Sequence, residues 1–529
     1  MRRNLGRVVA ALGAALVVLG GVAGTGAANA DTAGGGLPYV ALGDSYSAGF
    51  GLDDYSDTSP AAAQMTDPVI PPGQSVAPML NGCYQSLGNY PRQVAALFGF
   101  AIDDQTCSGA VTANITTTPQ TTGIAELPAT SSQTQTLPSV QGAALGPDTK
   151  VVTVTIGGND LLFSAIAEDC VVLSEGSQPA ALSDYWEGGV EGNPQPATCE
   201  QFYSAAPGTY VYVDPSTHVA DPANANIDIV NPAYTNQLQD VVVPNLIATY
   251  AYIAEHAPNA QVFVIGYPQI SPNGTTAPTC YAGLLDALDP PAPAAIPFNA
   301  SDEIWLHGVE EGLDSAIRHL TAQQGANFHY VSEWDRSAQN TLCGPAEPWI
   351  NGLKPVGSLD VDQCDATVQQ LLVADDIGVC ILLGALHPNA AGAADLATAV
   401  SEAITSTMPG LYLTGGEVRA GGQLTIAGIG FPPNATVQVT FHSTPVDLGT
   451  AQTTAAGAFT QTITIPADAQ GDHEIVATSG STSYRFAVSL PRVLPATGSA
   501  DPTPLLALGL VVLLAGVALV ALPRRRART

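Results

Sequence analysis

Positive charge is what this sequence has least of. Lys and Arg number 15 against 46 Asp and Glu, and between Asp31 and Gly498 the figures are 8 and 45, a net charge of −37. A surface of that sign repels phosphate backbones and anionic membranes, which excludes nucleic-acid binding as a role. The eight cysteines contain no close CxxC pair, so a zinc site is not expected. No Gly-rich phosphate loop and no metal-ligand cluster stands out, so neither a cofactor nor a metal is expected. No internal repeat occurs, and the fold must come from ordinary domains.

The two chain ends are rich in what the middle lacks. Arg2, Arg3 and Arg7 precede an apolar stretch from Val8 to Val22, and Ala28-Asn29-Ala30 supplies small residues for a signal peptidase. Residues 1–30 therefore read as a signal peptide, with the mature chain starting near Asp31. Arg2-Arg3 fits the twin-arginine pattern poorly, and the sequence leaves the Sec or Tat route open. At the other end "LPATG" (Leu494 to Gly498) is followed by a polar spacer, an apolar run over 505–522, and Arg524, Arg525, Arg526 and Arg528. That run is just long enough to span a bilayer, and the basic tail would stay on the cytoplasmic side. This tripartite end, 494–529, resembles the sorting signal of Gram-positive surface proteins. The resemblance implies that a sortase cuts between Thr497 and Gly498 and joins Thr497 to peptidoglycan; a tail-anchored protein is the alternative. Either way the bulk of the chain is expected outside the cell, where disulfides persist. Eight cysteines allow 105 connectivities, and spacing alone does not choose among them.

Between the ends, two patterns follow one another. From 37 to 409, apolar runs such as "VVTVTIGG" (Val151 to Gly158) and "AQVFVIGYP" (Ala260 to Pro268) alternate with helix-period segments. Tyr90, Val94, Leu97 and Phe98 fall on one helix face, as do Leu306, Val309, Leu313, Ile317 and Leu320. Strand and helix in alternation, with strands nearly continuously apolar, imply a doubly wound α/β layer. Thr58 to Pro78 and Ser174 to Asn236 read as loop insertions. The second insertion carries Tyr185, Trp186, Phe202, Tyr203, Tyr210 and Tyr212, which suit packing of a long loop better than an acyl or sugar site. From 411 to 490 the period becomes two, as in "VQVTF" and "FTQTITI", broken by Gly, Pro and Asn. That predicts a small Ig-like β-sandwich, without cysteine, acting as a spacer.

Chemistry is concentrated in four short stretches of the first region. "GDSYSAG" (Gly43 to Gly49) follows a strand, and the carboxyl ends of strands are where open α/β sheets bind ligands. Ser45 on that turn is a candidate nucleophile, which requires a base and donors for an oxyanion. "CSGA" places Gly109 in a tight loop with its N–H open, and "GGND" places Asn159 on an equivalent strand-end loop. "LHPNAAG" puts His387 just before a helix start.

In that order the four stretches resemble the sequence blocks of the SGNH, or GDSL, hydrolases. "NYPRQVAALFG" and "TCSGAVT" look most like the secreted actinobacterial esterases and lipases of that family. The resemblance covers Pro38 to Met408. It implies a three-layer, flavodoxin-like α/β fold and a serine carboxylic-ester hydrolase, most simply a monomer acting on lipid or small acyl esters. Ser45 would be the nucleophile and His387 the general base and acid; the N–H groups of Ser45 and Gly109 and the Asn159 side chain would form the oxyanion hole. It also implies pairing of neighbouring cysteines: Cys83 with Cys107, Cys170 with Cys199, Cys280 with Cys343, and Cys364 with Cys380.

One position departs from the family pattern. Three residues before His387, where the family has Asp, this chain has Gly384. A Ser-His dyad is then expected, with the Gly384 carbonyl accepting Nδ1–H; Asp375 or Asp376 are possible acidic substitutes. Asp44 is expected to bond the turn backbone instead. A carbohydrate acetyl esterase uses the same residues, and a non-catalytic surface binding or adhesion protein on the same scaffold would also explain Gly384.

Overall fold

A computed structural model of the chain describes residues 36–52, 82–125, 132–163, 199–225, 236–272, 300–352 and 368–491, apart from a few short breaks, together with 166 and 170. The signal peptide, the sorting signal, the Thr58 to Pro78 segment, Asp375, Asp376, and most of the Ser174 to Asn236 insertion lie outside the described residues.

Five strands form a wholly parallel sheet: β1 (Pro38–Gly43), β2 (Ala101–Asp104), β3 (Val151–Thr155), β4 (Gln261–Ile265) and β5 (Phe328–Val331), in the order β2-β1-β3-β4-β5. That is a doubly wound, flavodoxin-like order, and in such sheets ligands bind at the strands' carboxyl ends where the order reverses, here between β1 and β3. β3 is buried at all five positions, as expected of a strand covered on both faces.

One face is covered by the helices Tyr90–Phe98 and Ala390–Thr407, the other by Val243–His256 and Ala300–Ala322. Tyr90–Phe98 starts where Asn89 accepts the Arg92 N–H and Pro91 occupies the first turn. Its buried face holds Tyr90, Val94 and Phe98 as the periodicity predicts, together with Ala95, and Leu97 packs half-buried against the same cluster. The predicted apolar stripe of Ala300–Ala322 is buried along its whole length, from Leu306 to Leu320. Each fully buried Phe, Leu, Ile or Val contributes about 1.5–3 kcal/mol.

From Gly410 the chain forms two antiparallel sheets. Gly410–Gly416, Gln423–Ile429 and Phe459–Thr464 make one; Thr436–His442, Val446–Gln452, Gly471–Ser479 and Thr482–Leu490 make the other. Leu424, Ile426 and Ile463 of the first sheet share a core with Val439, Phe441 and Ile475 of the second. This all-β unit is no loose appendage. Ile429 and Ala458 are buried in the same cluster as Leu37, Phe98, Phe100 and Met408, all of which stand at the amino-terminal edge of the parallel sheet or beside it.

Two disulfides are present among the described residues, Cys83–Cys107 and Cys170–Cys199. Cys280, Cys343 and Cys364 lie outside them. Phe202 and Tyr203 of the long insertion are buried, with Tyr203 stacked on Trp305 at 5.4 Å; they pack the fold. No described helix is long and apolar enough to cross a membrane.

Candidate active site

β1 ends at Gly43, and the turn after it is held from several directions. Gln141 clamps Gly43 with both ends of its amide, Gly43 N–H donating to Oε1 at 2.8 Å and Nε2 donating to the Gly43 carbonyl at 3.0 Å. The same carbonyl accepts the Cys107 N–H, while Asp44 N–H donates to the Thr155 carbonyl on β3. Asp44 then caps the short helix Ser45–Ala48 by accepting the Tyr46 N–H at 3.0 Å. Ser45 is thereby fixed at the carboxyl edge of the sheet. Ser47 faces inward, its hydroxyl 3.2 Å from that of Tyr90.

Two further loops come to the same edge and are tied together. Asn159 follows β3 and donates through Nδ2 to the Ala110 carbonyl at 2.9 Å, which leaves its second N–H available. Asp160 accepts from both the Thr112 N–H and the Thr112 hydroxyl. These bonds lock the Asn159 loop to the loop of Gly109, where φ is +77°. Cys83 fastens the latter by its disulfide to Cys107 and by its carbonyl, which accepts the Ser108 N–H. Neither the Ser45 N–H nor the Gly109 N–H has a hydrogen-bond partner among the described residues. Asp160→Ala should lower kcat by about 10- to 100-fold with a smaller change in KM, because a misplaced donor costs most in the transition state. Steady-state kinetics beside a melting curve checks this; an unchanged kcat would mean the loops hold without it.

His387 meets Ser45 directly, Nε2 lying 2.8 Å from Oγ. Its Nδ1 lies 2.9 Å from a carbonyl oxygen, and that carbonyl belongs to Ala385. The expectation of Gly384 is therefore corrected. Gly384 opens a tight turn in which its own carbonyl accepts the His387 N–H at 3.0 Å, so the next carbonyl faces the ring. A carbonyl only accepts, so Nδ1 carries the proton and Nε2 is free to accept from the serine hydroxyl. Leu386, within the turn, is held at φ +64°. A short strap fastens the turn from outside: Leu386 N–H donates to the Asn351 carbonyl and Asn351 N–H to the His387 carbonyl, both at 2.8 Å.

The electrostatics suit a base. Burial lowers the His387 pKa to about 4, opposed more weakly by the Ala385 carbonyl. The imidazole is neutral at ordinary pH. Burial raises Asp44 to about 7, against hydrogen bonds from the Tyr267 hydroxyl and the Tyr46 N–H. Asp44 faces those donors and makes no hydrogen bond to His387. No described group of three His, Cys, Asp or Glu side chains is arranged to hold a metal ion.

The predicted site residues Ser45, Gly109, Asn159 and His387 thus come to one edge of the sheet. Gln141, Asp160, Tyr267 and Asn351, which position them, are not visible as such in the sequence. Only the adjacency of Asp160 to Asn159 gave a signal.

Residues 41–394 match the sequence profile of the GDSL-like lipase/acylhydrolase family. Among curated proteins, Lipase 2 of Streptomyces coelicolor is 26% identical over 318 residues, covering 60% of this chain and 77% of that protein. An esterase of Streptomyces scabiei is 26% identical over 366 residues, covering 68% and 86%. Among solved structures, a phospholipase A1 from Streptomyces albidoflavus NA297 aligns over 69% of this chain and 99% of its own, with 19% identity and a TM-score of 0.39. With two thirds of its length inside the family profile, the chain belongs to the GDSL-like lipase/acylhydrolase family and is an ester-hydrolysing enzyme of that family.

Proposed function

We propose that the protein is an exported serine carboxylic-ester hydrolase working through a Ser45–His387 dyad. The observation that carries this reading is the chain of contacts from Ser45 Oγ to Nε2 and from Nδ1 to the Ala385 carbonyl. His387 Nε2 takes the hydroxyl proton as Ser45 Oγ attacks the ester carbonyl carbon. The negative charge that develops on the carbonyl oxygen is met by the Ser45 and Gly109 N–H groups and the remaining Asn159 N–H. The imidazolium gives its proton to the leaving alcohol, and an acyl-Ser45 remains. Water, deprotonated by His387, attacks that ester; the acid leaves and the serine proton returns.

An ester series from p-nitrophenyl acetate to palmitate, read as kcat/KM, tests the activity and sorts short-chain esterase from lipase. A fluorophosphonate probe followed by peptide mass spectrometry should label Ser45. A folded chain that turns over no ester and takes up no probe would point instead to a binding protein on this scaffold.

The pH dependence follows from His387. kcat/KM should hold level down to about pH 5 and fall with unit slope near pH 4, whereas an unperturbed imidazole would begin to fail near 6.5. Stability follows the same group: the unfolded chain takes up the proton at about 6.5 and the folded one only near 4, so this contribution is lost as pH falls through that window. Asp44 acts oppositely, its contribution being full below 3.8 and lost as pH rises through about 7.

The address of the enzyme is part of the same reading. Removal of 1–30, sortase cleavage between Thr497 and Gly498 and attachment of Thr497 to peptidoglycan would place it on the outer face of a Gram-positive cell, the Ig-like unit serving as its stalk. Activity released from intact cells by a wall hydrolase supports this; activity confined to the cytosol overturns it.

A further inference from the structure

The dyad has to stabilise an imidazolium without a carboxylate beside it. Burial and the Ala385 carbonyl are what move the His387 pKa; no described acid contributes. Asp44 and Glu310 act on Tyr46 instead, and on the helix Ala390–Thr407 the first turn carries no acid. The strap over 348–351 is uncharged.

What lies against the imidazole is aromatic. The Tyr46 ring is 4.9 Å from it at an interplanar angle of 38°, a tilted arrangement that sets the two rings against each other. The Phe50 ring is 5.0 Å away at 78°, and behind Phe50 stands Tyr84, whose hydroxyl burial keeps neutral. Tyr46 is fixed on every side. Its N–H is bonded to Asp44, its hydroxyl donates to the Leu386 carbonyl at 2.7 Å, and its ring abuts that of Tyr267 at 4.9 Å and 82°. Tyr267 is itself immobilised, donating to Asp44 and accepting the Gly158 N–H at 2.9 Å.

Resting on the dyad reading above, we propose that Tyr46 is a positioning residue that does the work of the missing acid in two parts. Its hydroxyl fixes the turn that aims the Ala385 carbonyl at Nδ1, and its π-face stabilises the imidazolium while the proton is on Nε2. A ring face presents negative potential to a cation, and the attraction grows when water is excluded. The hydroxyl supplies orientation and the ring supplies charge complementarity, which a lone carbonyl does incompletely.

The two parts are separable by experiment in the full chain. Tyr46→Phe keeps the ring and removes the hydroxyl: kcat should fall about tenfold with KM unchanged, and the His387 pKa, read by NMR of the imidazole nitrogens, should move little. Phenylalanines bearing successive ring fluorines at position 46 keep the shape and drain the π-face. Across that series the His387 pKa should fall stepwise, by about one unit in all, with kcat falling in parallel. A pKa and kcat indifferent to fluorination would overturn the charge role; a wild-type kcat in Tyr46→Phe would overturn the orienting role. The NMR titration needs no turnover, so it reads Tyr46 even if Ser45 proves not to be the nucleophile. Failure of the dyad would show separately, as activity retained in Ser45→Ala above about one hundredth of the wild type.

Discussion

Ser45→Ala should lower kcat by about a millionfold, to the level that oxyanion donors and substrate binding sustain alone. In the proposed mechanism the hydroxyl oxygen becomes bonded to the acyl group, so no neighbour can substitute for it. Ser47, two residues on, is engaged with Tyr90, and the hydroxyl at His387 Nε2 is that of Ser45. His387→Ala should cost nearly as much, since Nε2 at 2.8 Å is the only base in contact with Oγ among the described residues. The double variant should be no worse than either single one, because the two side chains act as one unit. Initial rates on a short-chain p-nitrophenyl ester, with each variant purified away from host esterases, provide the measurement. Retention of more than about one hundredth of the activity in Ser45→Ala would remove Ser45 from the mechanism, as would strict additivity of the two losses.

Restoring the family's acid is expected to harm the enzyme. Gly384 has φ +82°, and a Cβ built there would stand 2.1 Å from the Gly51 Cα and 2.7 Å from its nitrogen. Both obstacles are backbone, so the contact cannot be relieved by a side-chain rotation. Gly384→Asp must therefore push apart the nucleophile loop and the histidine loop, with overpacking and a strained φ costing about 2–4 kcal/mol in all. Activity should fall at least a hundredfold and Tm by roughly 5–10 °C. Gly384→Ala should show most of both losses, because the clash begins at Cβ. If Gly384→Asp instead raised kcat, the two loops would have to be looser than the close packing of Gly51 on Gly384 implies.

That pair of glycines also shows why part of the site was legible in the sequence and part was not. The four catalytic stretches are local: Gly-Asp-Ser, a loop glycine, Gly-Gly-Asn-Asp and a histidine at a helix start can each be read without knowing what lies opposite. The sheet was legible for a similar reason, since Val151 to Ile156 and Val262 to Ile265 are buried on both faces and carry no polar residue but Thr153 and Thr155. Which carbonyl meets Nδ1 was not legible. It depends on a turn whose first residue is pressed against a segment more than 300 positions away, and on the strap through Asn351. Gln141 and Tyr267 were hidden likewise, because a lone Gln or Tyr reveals no partner from its own neighbours in the chain.

The all-β unit was expected as a spacer, and its shared core with the parallel sheet adds a direction. Ile429, Ala458 and Thr460 lie against the amino-terminal side of the sheet, where Leu37, Gly99 and Met408 are found, whereas Ser45 and His387 occupy the carboxyl edge. The last strand leaves this junction at Tyr484, whose hydroxyl bonds the Gly430 carbonyl, and runs outward to Leu490, about 20 Å farther on. Under the attachment proposed at Thr497, the chain would be moored from the all-β unit, which packs on the side of the sheet opposite the edge that carries Ser45 and His387.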